Sequence, residues 1–266
     1  INANGVVGGG GGRISLTATE PGYDLSEFTG TIEAKGAVGT TYKGGGGTIY
    51  LENESDGFGK GKVIVEAGGG SGSNYTDFNT NVVETIFHEL IFREGGHFAV
   101  GTNHHIEVSG VWSNAALFTG LPGATVSFTD RYQDTSRIYR GVFVHLVVTN
   151  HVANLVFEAD STNIILPDGS VTMMGKSESE RMLLRSSNPG EAWIFQVDPA
   201  AMQNIRSVDV QDSDASSGAQ VTAFLSQDSG NNKNWLFSNF PPGIVNRWTG
   251  SENNLWNNGD NWHSGR

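Results

Sequence analysis

The stretch from Phe98 to Phe128, FAVGTNHHIEVSGVWSNAALFTGLPGATVSF, repeats its apolar residues at intervals of twenty. Phe98 and Phe118 are twenty residues apart, and Ile106 and Val126 have the same spacing. Short alternating segments separated by glycine, asparagine and proline are typical of β-strands joined by tight turns. A fixed period of this length is typical of a solenoid, in which each coil stacks its side chains on the preceding coil.

The same spacing extends beyond this stretch in both directions. One predicted core column contains Phe58, Phe78, Phe98 and Phe118, continued by Ile138 and Phe157, and a second contains Ile86, Ile106, Val126 and Leu146, continued by Leu166. A barrel or sandwich also has many short strands, but it does not place one residue type at every twentieth position. We therefore predict an all-β fold, a parallel β-helix with coils of about 20 residues, right-handed by the usual chirality of parallel strand connections.

Composition excludes several function classes. The 266 residues include 37 glycines and no cysteine, and 16 Lys plus Arg stand against 28 Asp plus Glu, which gives a formal net charge of -12. This charge repels phosphate backbones and anionic bilayers, and no apolar stretch approaches the roughly 18 residues of a membrane span. We predict no nucleic acid partner and no membrane insertion. A cysteine-free, acidic chain fits an exported protein.

The strand pattern divides the chain into two parts. We predict a parallel β-helix over residues 1–238, and a linker with the truncated start of a following Trp/Asn/Gly-rich repeat over residues 239–266. The register breaks at Pro241-Pro-Gly243, where the composition is typical of a linker. Because the chain starts at Ile1 rather than Met, we expect it to be a piece of a longer polypeptide.

Several motifs resemble a family of large bacterial proteins. They are Arg13-Ile-Ser-Leu16 after a glycine run, Phe28-Thr-Gly-Thr-Ile-Glu-Ala34, Gly44-Gly-Gly-Gly-Thr-Ile-Tyr-Leu51, Leu183-Leu-Arg-Ser-Ser187, Asp228-Ser-Gly-Asn-Asn-Lys-Asn-Trp235 and Leu255-Trp-Asn-Asn-Gly-Asp-Asn-Trp262. Together they are similar to the passenger regions of repeat-rich secreted bacterial surface proteins of the autotransporter and adhesin type. The resemblance implies a right-handed parallel β-helix, export, and a structural or adhesive role. It brings no catalytic residues with it.

One charge cluster is a candidate catalytic site. It consists of Asp130, Asp134, Arg137 and Arg140. Paired carboxylates beside arginines on a β-helix face are what a polysaccharide lyase or hydrolase uses, because a carboxylate protonates a leaving oxygen and arginine neutralises a uronate. A salt-bridged turn between coils is the alternative interpretation.

A second cluster is a weak calcium candidate. Asp212, Asp214 and Ser216 supply oxygens at alternate positions. An EF-hand loop counted from Asp212 would need glycine at its sixth position and glutamate at its twelfth, but this chain has Ser217 and Ala223 there. A turn in which Asp and Ser side chains accept from backbone amides explains the same pattern.

Taken together, the sequence predicts a non-catalytic structural or adhesive segment of a large exported bacterial surface or extracellular-matrix protein. It would act as a rigid spacer and would be able to assemble end to end. No cofactor is predicted apart from the weak calcium candidate. The predicted partners are neighbouring domains of the parent chain, further copies of the chain, or surface glycans, and the predicted location is secreted or at the cell surface. The alternative is a carbohydrate-active β-helix, either a polysaccharide lyase or hydrolase or a glycan-binding module.

Overall fold

The structure of the protein, a computed structural model, describes residues 1–20, 22–37, 44–56, 61–66, 75–79, 81–82, 85–93, 97–114, 117–129, 135–149, 154–239, 249 and 252. Its helical content in these residues is two single 3-10 turns, Leu25–Glu27 and Glu54–Asp56, and no helix of the described chain is long enough to cross a bilayer. The strands are β1 (Arg13–Ala18), β2 (Thr48–Asn53), β3 (Lys62–Val65), β4 (Thr76–Phe78), β5 (Ile86–Phe92), β6 (His97–Val100), β7 (His105–Asn114), β8 (Leu117–Gly120), β9 (Thr125–Phe128), β10 (Thr135–Ile138), β11 (Arg140–Thr149), β12 (Asn154–Phe157), β13 (Thr162–Met174), β14 (Met182–Ser186), β15 (Trp193–Val197), β16 (Met202–Arg206), β17 (Val208–Val210), β18 (Ser213–Asp214), β19 (Val221–Phe224), β20 (Gln227–Asp228) and β21 (Trp235–Ser238).

Parallel pairing from β3 onward builds three sheets around a common bore. Each sheet is named here after one of its buried residues. The first, the Ile106 face, consists of the start of β5, the start of β7, β9, the ends of β11 and β13, then β16, β19 and β21. The Leu90 face stacks β3, the ends of β5 and β7, then β10, β12, β14, β17 and β20. The Phe98 face stacks β4, β6, β8, the starts of β11 and β13, β15 and β18. The protein is therefore an all-β parallel β-helix, as predicted.

Alternation along each strand sends every second side chain into the bore. In β14, for example, Met182, Leu184 and Ser186 are buried while the residues between them are partly exposed. The inward side chains form one continuous hydrophobic cluster that reaches from Val63 to Ala223. This arrangement follows from the two-residue period of a β-strand, because a run that alternates apolar and polar residues can bury only one of its faces.

The predicted columns are confirmed in the middle of the chain. Phe98 lies opposite Phe118, and the aliphatic column runs without a shift from Ile106 through Val126 to Leu146. The ring of Phe78 packs against that of Phe98 at a centroid distance of 4.8 Å, although in register Phe78 lies opposite Val100.

Other members of the columns require correction. Ile86 lies opposite Glu107 rather than Ile106 and is partly exposed, and its neighbour Phe87 takes the buried position. The step from Ile86 to Glu107 is twenty-one residues, one more than the predicted period, and the register shift between Phe87 and Glu89 lengthens it to twenty-two, from Glu89 to Val111. Later in the column, Leu146 lies opposite Val171, twenty-five residues on. The remaining member, Phe58, lies outside the described residues.

Glycine at one position lets the aromatic column change its spacing. The residue opposite Phe118 is Gly141, not an apolar side chain twenty residues on. A side chain at Gly141 would overlap the ring of Phe143, which lies over the glycine and packs on Phe118 at a centroid distance of 4.8 Å. The aromatic column is therefore continued by Phe143, while Ile138 belongs to the Leu90 face, where it lies opposite Phe157.

Residues before β3 form a cap with its own small core. β1 pairs parallel with β2, and β2 pairs antiparallel with β3. Ile14, Ala34, Ile49 and Ile64 form a cluster separate from the bore, with Ile91 packed against it. The exposed first strand of a solenoid can template pairing with other chains. The chain itself thus covers the first strand of the Leu90 face with β2.

Glycine in the cap permits backbone segments to approach closely. The Gly11 amide donates to the Gly45 carbonyl oxygen at 2.9 Å. A Cβ at Gly11 would collide with the Ala34 carbonyl oxygen, and one at Gly44 would collide with that of Gly9. These glycines serve close packing of backbone rather than the binding of a phosphate group.

One inward position carries an amide instead of an apolar group. Asn163 lies between Gly141 and Phe195 on the Phe98 face and has no exposed surface. Neither its Oδ1 nor its Nδ2 has a hydrogen-bond partner in the described chain. A buried polar group of this kind costs about 1–3 kcal/mol of stability.

We expect Asn163→Leu to raise the free energy of unfolding by about 1–3 kcal/mol, because leucine of similar size removes the unsatisfied amide. Urea unfolding monitored by tryptophan fluorescence measures the change. Asn204→Leu at an exposed position is the matched control and should stay within about 0.5 kcal/mol. Loss of stability in Asn163→Leu would show that the amide has a partner in solution, such as a buried water.

Candidate functional site

One concave site lies at the N-terminal end of the bore, between the cap and the first coil. A cleft of about 570 Å³ separates the β1–β2–β3 sheet from the beginning of the first coil. Its apolar lining comes from Ile49, Val63, Phe78, Val82 and Phe87. Its polar lining comes from Arg13, Ser15, Thr48, Tyr50, Glu52 and Asn81. A volume of this size is typical of small-molecule sites.

The polar lining results from a change along two cross-strand rows. Val65 lies opposite Thr48, and Thr48 lies opposite Arg13. The inward row therefore turns from apolar to polar as the Leu90 face extends into the cap. In the neighbouring row, Tyr50 lies between Val63 and Ser15, so this row also changes from apolar in β3 to polar in β1. Val63 and Val65 belong to the hydrophobic core of the bore, whereas Thr48, Tyr50 and Arg13 continue the same rows as a polar surface in the cap.

Opposite charges stand at the two ends of the polar wall. Arg13 is exposed, and within the described residues its guanidinium makes no ion pair. The hydroxyl of Tyr50 donates to Glu52 Oε2 at 3.0 Å and holds that carboxylate at the other end. Arg13 is level with Thr48, four residues before Glu52, so the two ends are about 13 Å apart along the strands. The cleft combines donors, acceptors and an apolar floor.

A second groove on the opposite side of β2 is acidic. It has a volume of about 440 Å³ and is lined by Asp24, Glu52, Asp56, Glu89, Lys62 and His88 among others. Its acids are engaged: Lys62 pairs with Glu89 at 2.8 Å, and the backbone amide of Ser26 lowers the pKa of Asp24. Across the described residues no three His, Cys, Asp or Glu side chains form a metal-binding group. We assign this groove no ligand.

The predicted catalytic cluster is only partly described. Asp130 and Asp134 lie outside the described residues. Arg137 is exposed in β10 on the Leu90 face, and Arg140 is exposed at the start of β11, on the Phe98 face. The two arginines therefore belong to two different sheets that meet at a corner. The described geometry brings no carboxylate to either of them.

The calcium candidates are used in turns at the C-terminal end. Asp212 is buried, and its two carboxylate oxygens accept from the Gly190 amide at 3.0 Å and from Asn231 Nδ2 at 2.8 Å. Asp214 accepts from the Ser216 amide at 2.9 Å and from Lys233 Nζ at 2.9 Å. These N–H donors occupy positions that a cation would need, so the geometry favours the turn interpretation.

We expect chelation to leave the protein unchanged. The melting temperature should be the same in EDTA as in millimolar calcium chloride, since both aspartates are satisfied by N–H groups. Differential scanning calorimetry of the two samples measures this directly. A melting temperature that climbs with calcium concentration, as mass action requires of a bound ion, would restore the calcium site.

The pKa of Asp214 is lowered by its hydrogen bonds and leads to a prediction about the effect of pH on stability. The hydrogen bond from Lys233, followed by that from the Ser216 amide, lowers the pKa of Asp214 from 3.8 to about 2. A carboxylate with a lowered pKa contributes stability above pH 4, and this contribution is lost as the pH falls toward 2. Lys233→Met should raise the pKa of Asp214, measured by NMR titration of its carboxyl carbon, at a cost of less than about 1 kcal/mol for an exposed pair.

The control for this titration is Lys176→Met, which removes a surface ion pair with Glu180 in another turn. It should leave the pKa of Asp214 where it is. If both variants shift that pKa equally, the cause is the general charge of the protein rather than the bond from Lys233.

The cleft residues were not singled out by the sequence. Arg13 and Tyr50 belong to alternating strand segments in which the polar residues of the inward rows carry no periodic signal. Strand pairing alone brings β1 next to β2 across thirty-five residues. No family model matches the chain, and no curated protein or solved structure is significantly similar to it.

Proposed function

We propose that the chain is a non-catalytic, rigid spacer in a large exported bacterial surface or extracellular-matrix protein. The observation that carries this proposal is the uninterrupted stacking of eight strands on the Ile106 face over an aromatic and aliphatic bore. Seven strand spacings give this face a length of roughly 34 Å. Each coil contacts its neighbours along three faces, so bending requires hydrogen bonds and packed side chains to separate together.

Two further observations support the spacer role. Inward rings pack from coil to coil, as Phe157 does on Trp193 at a centroid distance of 3.9 Å, so the bore resists compression and twisting. At the C-terminal end, side chains satisfy the backbone: Asn232 Nδ2 donates to the Val210 carbonyl at 2.8 Å, and Asn234 Nδ2 donates to that of Ala215 at 3.0 Å. A stiff element whose C-terminal backbone is hydrogen-bonded by side chains suits a position between neighbouring domains of a parent chain.

Export is proposed on composition. Absence of cysteine and a net charge of -12 suit a protein that functions without thiol chemistry and stays soluble outside the cell. Antibodies raised against the chain should label intact cells that produce the parent protein. Labelling only after the cells are permeabilised would contradict export.

Stiffness can be measured directly because the chain has no cysteine. Spin labels at Glu107→Cys and Leu236→Cys sit in one outward row, six strand steps and about 29 Å apart. We expect double electron–electron resonance to give one narrow distance distribution, which broadens in denaturant. A broad or multiple distribution in buffer, or turnover of a polysaccharide by the purified chain, would contradict a non-catalytic rigid spacer.

A further inference from the structure

We infer that the cleft at the N-terminal mouth of the bore binds a neutral saccharide of one or two rings. The cleft is the place where the apolar interior of the solenoid meets a polar wall. Sugars present the same combination, apolar ring faces edged by hydroxyl groups that both donate and accept hydrogen bonds. The inference goes beyond the spacer role and does not depend on it.

The polar groups of the wall match a polyol in number and kind. Arg13 offers N–H donors in a planar fork, and Glu52 offers carboxylate oxygens, one of which, Oε2, also accepts from the Tyr50 hydroxyl. Ser15 and Asn81 each offer both a donor and an acceptor. Paired donors or acceptors on one planar group suit two neighbouring hydroxyls, which a single sugar ring provides. The separation of about 13 Å between Arg13 and Glu52 leaves room for the ligand between them.

The apolar part of the cleft provides a surface for the face of a ring. Tyr50 is partly exposed in the middle of the polar wall, with its ring against Gly61 on one side. Phe78 and Phe87 lie beneath the floor and contact each other, with ring centroids 5.6 Å apart, but they are only 5% and 2% exposed, so Tyr50 presents the accessible ring face. Aromatic side chains of this kind combine an apolar face with, in tyrosine, a polar group at the edge.

Charge argues for a neutral ligand over an anionic one. Arg13 and Glu52 carry opposite charges at the two ends of one wall, so the described residues that line the cleft have no excess of either sign. The protein as a whole carries a net charge of -12, which repels a uronate or phosphate as it approaches. An uncharged sugar avoids this repulsion and still uses both charged groups as hydrogen-bond partners.

Isothermal titration of the whole chain tests the inference with maltose, cellobiose, lactose and chitobiose, and with digalacturonate as the anionic comparison. We expect saturable binding of at least one neutral disaccharide. Arg13→Gln and Glu52→Gln should each weaken that binding at least tenfold, because each removes a charge-assisted hydrogen bond. Arg137→Gln removes an exposed arginine elsewhere and should change it by less than about twofold.

Circular dichroism melting confirms that each variant is folded, so a loss of binding is not a loss of structure. The inference is overturned if no neutral disaccharide binds, if binding survives both cleft substitutions, or if digalacturonate binds more tightly than every neutral sugar. None of these results affects the distance measurement, which tests the spacer role separately.

Discussion

Replacing Trp193 by alanine is expected to destabilise the protein by about 3–5 kcal/mol. The side chain is completely buried in the bore, stacked on Phe157 with an interplanar angle of 9° and packed against Phe195 and Trp235. Its indole N–H also donates to the Gln211 carbonyl at 3.3 Å. Alanine would leave a cavity that spans neighbouring coils, and those coils cannot close it without breaking their own strand pairing.

Urea unfolding followed by circular dichroism measures this loss, and we expect the C-terminal coils to unfold first because each coil is held by its neighbours. Leu236→Ala is the matched control, since Leu236 is 47% exposed on β21, and it should cost less than about 0.5 kcal/mol. A loss below about 1 kcal/mol for Trp193→Ala would mean that the indole is not part of a packed interior.

Replacing Arg93 by methionine is expected to cost about 3–5 kcal/mol, because it leaves a buried carboxylate without its counter-charge. Glu66 has no exposed surface, and Arg93 bonds to its Oε1 from the adjacent coil of the Leu90 face. In the described chain Glu66 Oε2 has no hydrogen-bond partner. The Glu66 carboxylate therefore relies on Arg93 for its hydrogen bond and counter-charge, whereas a surface carboxylate would have water as an alternative partner.

A double-mutant cycle separates this effect from lost packing. Glu66→Leu combined with Arg93→Met replaces the ion pair, in which Glu66 is buried and Arg93 is 43% exposed, by apolar groups, and such replacements are often neutral or stabilising. We expect the double variant to recover most of the stability lost in Arg93→Met, which gives a coupling energy of at least about 1 kcal/mol. If the two substitutions are additive, the ion pair contributes nothing and the aliphatic stem of Arg93 accounts for the loss.

The central coils could be predicted because burial imposes a period that the sequence displays. The row from Ile106 to Leu146 is twenty residues per step, and each residue in it is buried against the next. The period fails where coil length changes: Val171 lies opposite Gln203, thirty-two residues on. Extra residues in a turn cost little loop-closure entropy, so coil length is free to vary while the strands keep their pairing.

In the central coils, the sequence alone therefore determined which sides of the strands face inward, since alternation and apolar content are local properties. Only the tertiary structure decided the register outside the central coils, because an inserted residue moves the following side chains to the other face. The register shift between Phe87 and Glu89 has this effect, since the buried positions change from Phe87 to Leu90, three residues on. The tertiary structure also determined which residues form the cleft. Arg13 and Glu52 share one wall because β1 pairs with β2, and pairing between distant segments leaves no mark on the polar residues of either strand.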